Sequence, residues 1–134
     1  MLALHKKEII NFWVETAEND YKTMLNLFES KDYHWSLFMG HLVIEKLLKA
    51  LYVKNKNGNI PRTHDLLRLA EKAVIDTTED QKDDLDFITT FNIRARYPDY
   101  KQSFYKKCDY DFTANNIEKV KGLRMWLHSM IKKQ

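Results

Sequence analysis

The stretch of residues 34 to 54 constrains the fold most strongly, because apolar side chains occupy nearly every angle of a helical wheel drawn through it. A helix of this kind is buried on most of its sides. One polar line crosses it, since His41, Glu45 and Lys49 are spaced by four residues and therefore share a face. The stretch predicts a buried helix within a helical bundle, with a polar site on one side.

The composition agrees with a single helical domain. Of the 134 residues, 44% are hydrophobic and 13% are aromatic, so the chain can bury a substantial core. It has only three Gly and two Pro, which are too few turn-forming residues for many short strands, so long helices are favoured. We therefore predict one all-α domain that covers residues 1 to 134.

Helices are predicted on both sides of this buried stretch. Residues 7 to 29 carry apolar side chains at steps of three and four, as an amphipathic helix requires. Residues 55 to 61 collect turn formers and a proline, and they are predicted to form a loop. Thr63 is then predicted to cap a third helix that runs to about residue 74, with Asp65 in its first turn.

The second half of the chain predicts two further helices. Thr78 and Gln81 fit a capping box that opens a fourth helix. A proline at position 98 restricts the residue before it, so this helix is predicted to end near Arg96. Residues 97 to 112 lack a clear period and are predicted to be a structured connection with a short helical piece. Thr113 is predicted to cap the last helix.

The charge is unevenly distributed, although the net charge is only +3. Residues 76 to 86 hold six carboxylates and one lysine, whereas residues 94 to 107 hold five cations and one carboxylate. So small a net charge does not by itself indicate a nucleic-acid partner, because affinity of this kind depends on clustering along one face. We expect one end of the molecule to be more positive than the other.

Several kinds of site are not indicated by the sequence. The single Cys108 cannot form an internal disulfide, and no Cys and His spacing resembles a metal site, so we predict no metal and a reducing, cytoplasmic compartment. No apolar run approaches a membrane span, and residues 1 to 8 lack the apolar region of a secretion signal. A Gly-rich phosphate loop and a nucleophile elbow are also missing, so no cofactor and no catalytic residue are assigned.

The polar line has two interpretations. In the first, Glu45 and Lys49 form an ordinary pair on a solvated strip, and such a pair contributes only about 0.3–0.5 kcal/mol. In the second, His41, Glu45 and Lys49 face a neighbouring helix or a second subunit and shape a polar groove. His64 is a further candidate for this groove, although its place at a helix start favours a structural role at the cap.

An aromatic and basic segment covers residues 94 to 110. It could bind phosphates while its rings stack on bases, or its rings could close over the end of the bundle while its charges stay in solvent. Arginine is the better phosphate ligand of the two cations, because its planar fork gives two parallel hydrogen bonds. The members of the segment are Arg94, Arg96, Tyr97, Tyr100, Lys101, Phe104, Tyr105, Lys106, Lys107 and Tyr110.

Four features together resemble the HEPN domain, a small helical family named for nucleotide binding in higher eukaryotes and prokaryotes. They are Trp13, Ala17 and Asp20-Tyr21 in the first helix, Glu45-Lys46-Leu47-Leu48-Lys49-Ala50, Pro61-Arg62-Thr63-His64-Asp65-Leu66-Leu67, and Arg96-Tyr97-Pro98-Asp99. The resemblance spans roughly residues 8 to 132. It implies an up-and-down bundle of four or five helices, a homodimer, and a small nucleotidyltransferase as partner in a toxin–antitoxin-like pair.

Catalytic members of this family are ribonucleases that use an Arg followed, after four to six residues, by a His. Arg96 matches the Arg, but Lys101, Gln102 and Ser103 stand where the His should be, and a start from Arg94 gives no His either. A lysine does not replace an imidazole base near neutral pH unless burial lowers its pKa by several units. RNA cleavage is therefore not expected.

The resemblance thus implies a non-catalytic module that binds a nucleotide or RNA phosphate. Arg96 is the first candidate for the contact, and the supporting candidates are Arg94, Lys101, Tyr97 and Asn92. Asn92 lies one turn before Arg96 and could orient its guanidinium. Two alternatives remain: a degenerate ribonuclease that borrows His64 or His128 as its base, and a purely protein-binding partner of a nucleotidyltransferase.

Overall fold

The computed structural model describes residues 3–133, with the side chains of all of these except Ala3, Leu4 and Pro98. Residues 1, 2 and 134 of the predicted domain lie outside this range. The described residues form six helices and no strand, and none of these helices is long and apolar enough to cross a membrane. The helices are α1 (Ala3–Glu29), α2 (Tyr33–Asn55), α3 (Leu66–Lys72), α4 (Glu79–Arg94), α5 (Pro98–Lys107) and α6 (Tyr110–Lys132). The all-α bundle is confirmed.

Helix α2 lies at the centre and packs against each of the five other helices. The close approach of α1 and α6 to α2 occurs at Gly40, where an added Cβ would lie 3.1 Å from Val120 Cγ2 and 3.2 Å from Met24 Sδ. The fully buried side chains of α2 include Leu37, Val43, Ile44, Leu47 and Leu48. The apolar wheel of this helix therefore reflects neighbours on several sides, as the sequence predicts.

The capping box of α4 is confirmed. The Thr78 hydroxyl accepts a hydrogen bond from the Gln81 backbone N–H, and the Gln81 side chain accepts one from the Thr78 N–H. The helix ends at Arg94, with Ala95 as its C-cap. Arg96 and Tyr97 therefore follow the last helical turn directly, which leaves their side chains at the end of the bundle where α4 meets α5.

The predicted N-caps of α3 and α6 are wrong. Asp65 caps α3 by accepting from the Arg68 backbone N–H, whereas the Thr63 hydroxyl accepts from the Asp65 N–H one step earlier. Asp109 caps α6, and Thr113 is fully buried inside that helix. Threonine and aspartate are both good N-caps, so residue type alone could not choose between neighbouring candidates.

The segment between α4 and α6 is more regular than the sequence indicated. It contains α5, a ten-residue helix that begins at proline 98, where the missing N–H costs nothing. Phe104 is the residue that anchors it, since its ring is fully buried against Phe91 at a centroid distance of 5.5 Å. This extra helix brings the count above the four or five that the resemblance implied.

Candidate functional site

The polar line of α2 is buried and does not form a solvated strip. The side chain of His41 is 0% exposed and that of Glu45 is 5% exposed, whereas Lys49 keeps 17%. The line faces the segment between α2 and α3, from which His64 reaches Glu45. His41, Glu45, Lys49 and His64 therefore come together, and we refer to these four residues as the Glu45 cluster.

Glu45 is the acceptor at the centre of this cluster. His64 Nδ1 donates to Glu45 Oε1 over 2.7 Å, and Lys49 Nζ donates to Oε2 over 3.2 Å. Burial alone would raise the pKa of Glu45, but the hydrogen bond from His64 and the nearby His41 and Lys49 outweigh burial and lower it. The carboxylate is therefore ionised at neutral pH, and its negative charge is stabilised by donors within the protein.

His41 contacts the same segment through the backbone. Its Nε2 donates to the His64 carbonyl oxygen over 3.0 Å, so Nδ1 is the unprotonated nitrogen of the neutral ring. Burial lowers the pKa of His41, and the charge of Arg96 lowers it further, against opposing effects of the backbone hydrogen bond and Glu45. The ring is neutral at pH 7, and Arg96 lies close enough for its charge to be felt.

His64 does not serve the cap of α3, the role that its position predicted. Asp65 takes that role, and the His64 side chain turns instead towards α2. Its side chain is 59% exposed although its Nδ1 is bonded to Glu45. The segment before α3 is thus attached to α2 by two hydrogen bonds, one through the His64 ring and one through the His64 carbonyl.

Arg96 lies at the junction of α4 and α5. Its Nε donates to the backbone carbonyl of Asn92 over 3.0 Å, and its guanidinium carbon lies 5.6 Å from the ring centroids of both Phe38 and Tyr97. The predicted orienting role of Asn92 thus falls to its backbone rather than its buried side chain. Within residues 3–133, no carboxylate forms an ion pair with Arg96.

Lys101 extends the same face. Its Nζ lies 5.1 Å from the ring centroid of Trp35, and the Trp35 and Phe38 rings meet edge to face at 5.7 Å. Two cations from the α4–α5 region therefore lie over two adjacent rings of α2. We refer to Trp35, Phe38, Arg96, Tyr97 and Lys101 as the Arg96 surface. Beside it lies an open depression of about 550 Å³ lined by His34, Trp35, Lys101, Gln102 and Tyr105.

Arg94 belongs to a different environment. Its guanidinium carbon lies 4.7 Å from the ring centroid of Phe104, and its charge acts on Cys108. Burial raises the pKa of the Cys108 thiol to about 12 in spite of that charge. Of the cations predicted to hold a phosphate, Arg96 and Lys101 share the rings of α2, whereas Arg94 packs against α5.

The rings of the aromatic and basic segment divide in the same way. Phe104 closes into the core, as the packing interpretation required. The four tyrosines of the segment are each more than half exposed, as stacking on a ligand would require, and they are Tyr97, Tyr100, Tyr105 and Tyr110. Neither interpretation therefore covers the whole segment.

His128, one of the two histidines considered as a substitute base, lies elsewhere. It lines a depression on α6 with Arg124, whose guanidinium pairs with Glu18 of α1 over 2.5 Å and stacks on Tyr21 at 3.9 Å. No hydrogen bond or ion pair joins His128 to Arg96 within residues 3–133. In the same range, no group of three or more His, Cys, Asp or Glu could hold a metal ion.

The sequence did not single out Trp35, Phe38, His34 or Gln102 as site residues. Trp35 and Phe38 follow the apolar spacing of a core helix, and only their partial exposure distinguishes them from true core residues. One signal was present, since Phe38 precedes His41 and Glu45 by three and seven residues and so lies on the same face of α2.

Comparison with known proteins gives one positive result. The family model of the HEPN domain matches residues 10–129, which is most of the chain. No curated protein matches the chain, and no solved structure does. The matched range runs from α1 to the last turn of α6, and so includes both the Glu45 cluster and the Arg96 surface. The chain belongs to the HEPN domain family.

Proposed function

We propose that this HEPN domain is a non-catalytic module that binds the phosphate of a nucleotide or of RNA at the Arg96 surface. The observation that carries the proposal is the state of Arg96. Its Nε is held by the Asn92 carbonyl, and no carboxylate in residues 3–133 pairs with its guanidinium. A guanidinium that is oriented but not neutralised suits an anion from outside the protein.

The neighbours of Arg96 favour a nucleotide over a simple anion. Lys101 adds a second cation, Trp35 adds a partly exposed ring, and Tyr97 adds a ring that is about half exposed. Cations beside exposed aromatic rings are the usual means by which proteins hold single-stranded nucleic acid, because every base offers a face on which a ring can stack. The family assignment indicates a nucleotide- or RNA-related function in the same direction.

The non-catalytic part of the proposal rests on α5. The positions at which the ribonuclease motif requires a His hold Lys101, Gln102 and Ser103, all of them exposed on α5. These residues offer no imidazole to take the proton of a ribose hydroxyl. Arg96 can stabilise phosphate charge without that base, so binding is the chemistry that remains.

The test is a binding titration with ATP and with a short single-stranded RNA. We expect Arg96→Ala to weaken both ligands by about tenfold or more, since a hydrogen bond to a charged group contributes about 1.5–3 kcal/mol. Arg68→Ala, at an exposed arginine of α3, is the matched control. If neither millimolar ATP nor RNA binds the native protein, the protein-binding alternative is favoured instead.

A second candidate is a degenerate ribonuclease that uses His64. The observation in its favour is the hydrogen bond from His64 Nδ1 to the ionised Glu45, which leaves Nε2 on an exposed ring as a proton acceptor. A carboxylate that orients an imidazole in this way is a common arrangement in general-base catalysis. Here the imidazole would take the proton of the ribose 2′-hydroxyl while Arg96 stabilises the phosphate.

This candidate is tested by incubating the purified protein with RNA in EDTA. Cleavage that is lost in both Arg96→Ala and His64→Ala would establish it and overturn the non-catalytic proposal. Intact RNA, together with binding that depends on Arg96, would exclude it. His128→Ala is the matched histidine control, because His128 lies in the separate depression on α6.

We further propose that the module forms a homodimer and acts alongside a minimal nucleotidyltransferase in a toxin–antitoxin-like pair in the cytoplasm. These proposals derive from the resemblance to the family, which implies both a second copy of the chain and a nucleotidyltransferase as partners. Light scattering of the purified protein measures the first, and two protomers per particle are expected. Co-purification with the product of an adjacent nucleotidyltransferase reading frame tests the second, and its failure at micromolar concentration would count against the pair.

A further inference from the structure

We propose that the depression between α2 and α5 binds the base of a phosphorylated nucleoside, with the base stacked on the exposed Tyr105 ring of a ring wall that Trp35, His34 and Tyr105 form. The inference rests on the proposed phosphate binding at Arg96 and deepens it, because it assigns a place to the base, the part of the ligand that distinguishes one nucleotide from another. The ligand class is a nucleobase joined through its ribose to phosphate, either as a free nucleotide or as one unit of RNA.

The ring wall is continuous. The His34 ring lies 5.0 Å from the Trp35 ring and 5.2 Å from the Tyr105 ring, centroid to centroid. Tyr105 is 64% exposed, so most of its side chain is accessible to a ligand. The depression of about 550 Å³ lies within the roughly 300–1,000 Å³ typical of small-molecule sites. The planes of the His34 and Tyr105 rings stand at 73° to each other, so a flat aromatic ligand cannot stack on both, and the exposed Tyr105 ring is the one that offers a face.

The polar groups of the depression suit a base rather than an apolar side chain. Gln102 carries an amide that both donates and accepts hydrogen bonds, which matches the mixed edge of a nucleobase. His34 is only 8% exposed, and its buried Nδ1 has no hydrogen-bond partner in residues 3–133. Burial and the charge of Lys101 both lower the pKa of His34, so its ring is neutral and adds no positive charge to the wall.

The depression is also continuous with the phosphate contact. Trp35 lines it, Phe38 meets Trp35 at 5.7 Å, and the Arg96 guanidinium lies 5.6 Å from Phe38. Lys101 also lines it, with its Nζ over the Trp35 ring. A base in the depression therefore has Lys101 beside it, and Arg96 lies one ring further along α2.

The experiment compares a ligand that has a base with one that lacks it. ATP and inorganic triphosphate share the phosphate chain, so the ratio of their affinities, measured by calorimetry, reports the contribution of the nucleoside. We expect Tyr105→Ala to weaken ATP by about tenfold, the usual loss for one stacked base, and to leave triphosphate unchanged. Tyr100→Ala removes another exposed tyrosine of α5 that does not line the depression, and it should change neither affinity.

Each outcome bears on one of the two proposals. If Tyr105→Ala behaves like Tyr100→Ala while Arg96→Ala weakens both ligands, the base subsite is overturned and phosphate binding stands. If ATP, triphosphate and a short single-stranded RNA all fail to bind the native protein, both proposals are overturned. Gln102→Ala supplies an independent check, since it should alter the preference among ATP, GTP, CTP and UTP by at least threefold. An unchanged preference would contradict the role of Gln102.

A further arm distinguishes the two sources of the base. A six-nucleotide RNA that binds much more tightly than ATP, and that also loses about tenfold in Tyr105→Ala, identifies RNA as the ligand. Equal or weaker binding of the RNA identifies the free nucleotide. Circular dichroism of each variant confirms that it is folded before its affinity is compared.

Discussion

The Glu45 cluster and the Arg96 surface lie side by side on α2, but the charge of the first has partners within the protein and the charges of the second have no carboxylate partner in the described residues. In the cluster, a buried carboxylate accepts hydrogen bonds from His64 and Lys49. On the surface, Arg96 and Lys101 lie over aromatic rings, and neither has a carboxylate partner in the described residues. A buried charge requires partners within the protein, whereas an exposed charge is solvated by water and remains available to a ligand. The cluster is thus suited to hold the scaffold, and the surface to bind.

The largest effect is expected from Glu45→Gln. The substitution removes the carboxylate charge that accepts the hydrogen bonds of His64 and Lys49, so we expect the free energy of unfolding to fall by about 3 kcal/mol. Urea denaturation measures this change. Glu15→Gln, at an exposed glutamate of α1, should alter the same quantity by less than about 0.5 kcal/mol.

The same variant sharpens the comparison between the two regions. While Glu45→Gln remains folded at low temperature, its affinity for ATP should equal that of the native protein, because no cation of the Arg96 surface bonds to Glu45. A loss of ATP affinity as large as that of Arg96→Ala would show that the cluster and the surface are one site.

A smaller effect is expected from Arg96→Lys. The charge is kept, but the planar fork that can give two parallel hydrogen bonds to phosphate is lost, so ATP and RNA should bind about fivefold to tenfold more weakly. The free energy of unfolding should change by less than about 0.5 kcal/mol, because the side chain is exposed. Arg68→Lys is the matched control. If Arg96→Lys binds ATP and RNA as tightly as the native protein, Arg96 contributes only its positive charge and not two parallel hydrogen bonds.

The pH dependence of stability tests the buried side of the comparison. Burial lowers the pKa of His41 below its ordinary value of 6.5, and it lowers those of His34 and His128 as well. The folded state then binds fewer protons than the unfolded state, so stability is complete above pH 6.5 and falls as the pH drops below it. The carboxylate of Glu45 contributes with the same sign at lower pH, where the loss begins below about pH 4.5.

Unfolding by urea between pH 8 and pH 5 therefore isolates the histidines. We expect His41→Gln to show a shallower fall in the free energy of unfolding than the native protein over this range. His5→Gln, at an exposed histidine of α1, should leave the fall unchanged. A native protein whose stability rises from pH 7 to pH 5 would contradict a neutral, buried His41.

The smallest effect concerns salt. If RNA phosphate lies against the Arg96 surface, the logarithm of its affinity falls with the logarithm of the salt concentration. Lys101→Ala should then reduce this slope by about one. Lys22→Ala, at an exposed lysine of α1, should not change the slope. A slope that responds equally to both substitutions would indicate diffuse attraction rather than a defined surface.

The helices were largely predictable, because helix signals are local. The apolar wheel of α2, the amphipathic period of α1 and the capping box at Thr78 and Gln81 all depend on residues within a few positions of one another. The errors fell at Thr63 and Thr113, where an aspartate nearby was an equally good cap. Local signals indicate that a helix begins, but they locate its first residue only to within a few positions.

The sequence by itself determined that the chain is all-α, that α2 is buried, and that Arg96 follows the end of a helix, since each depends on spacing along the chain. Only the tertiary structure decided that His64 meets Glu45 across 19 positions, and that Lys101 lies over Trp35 while Arg94 turns to Phe104. The physical reason is that such contacts depend on how helices pack, which fixes the side on which each side chain emerges. Spacing along one helix carries no information about the face of the next.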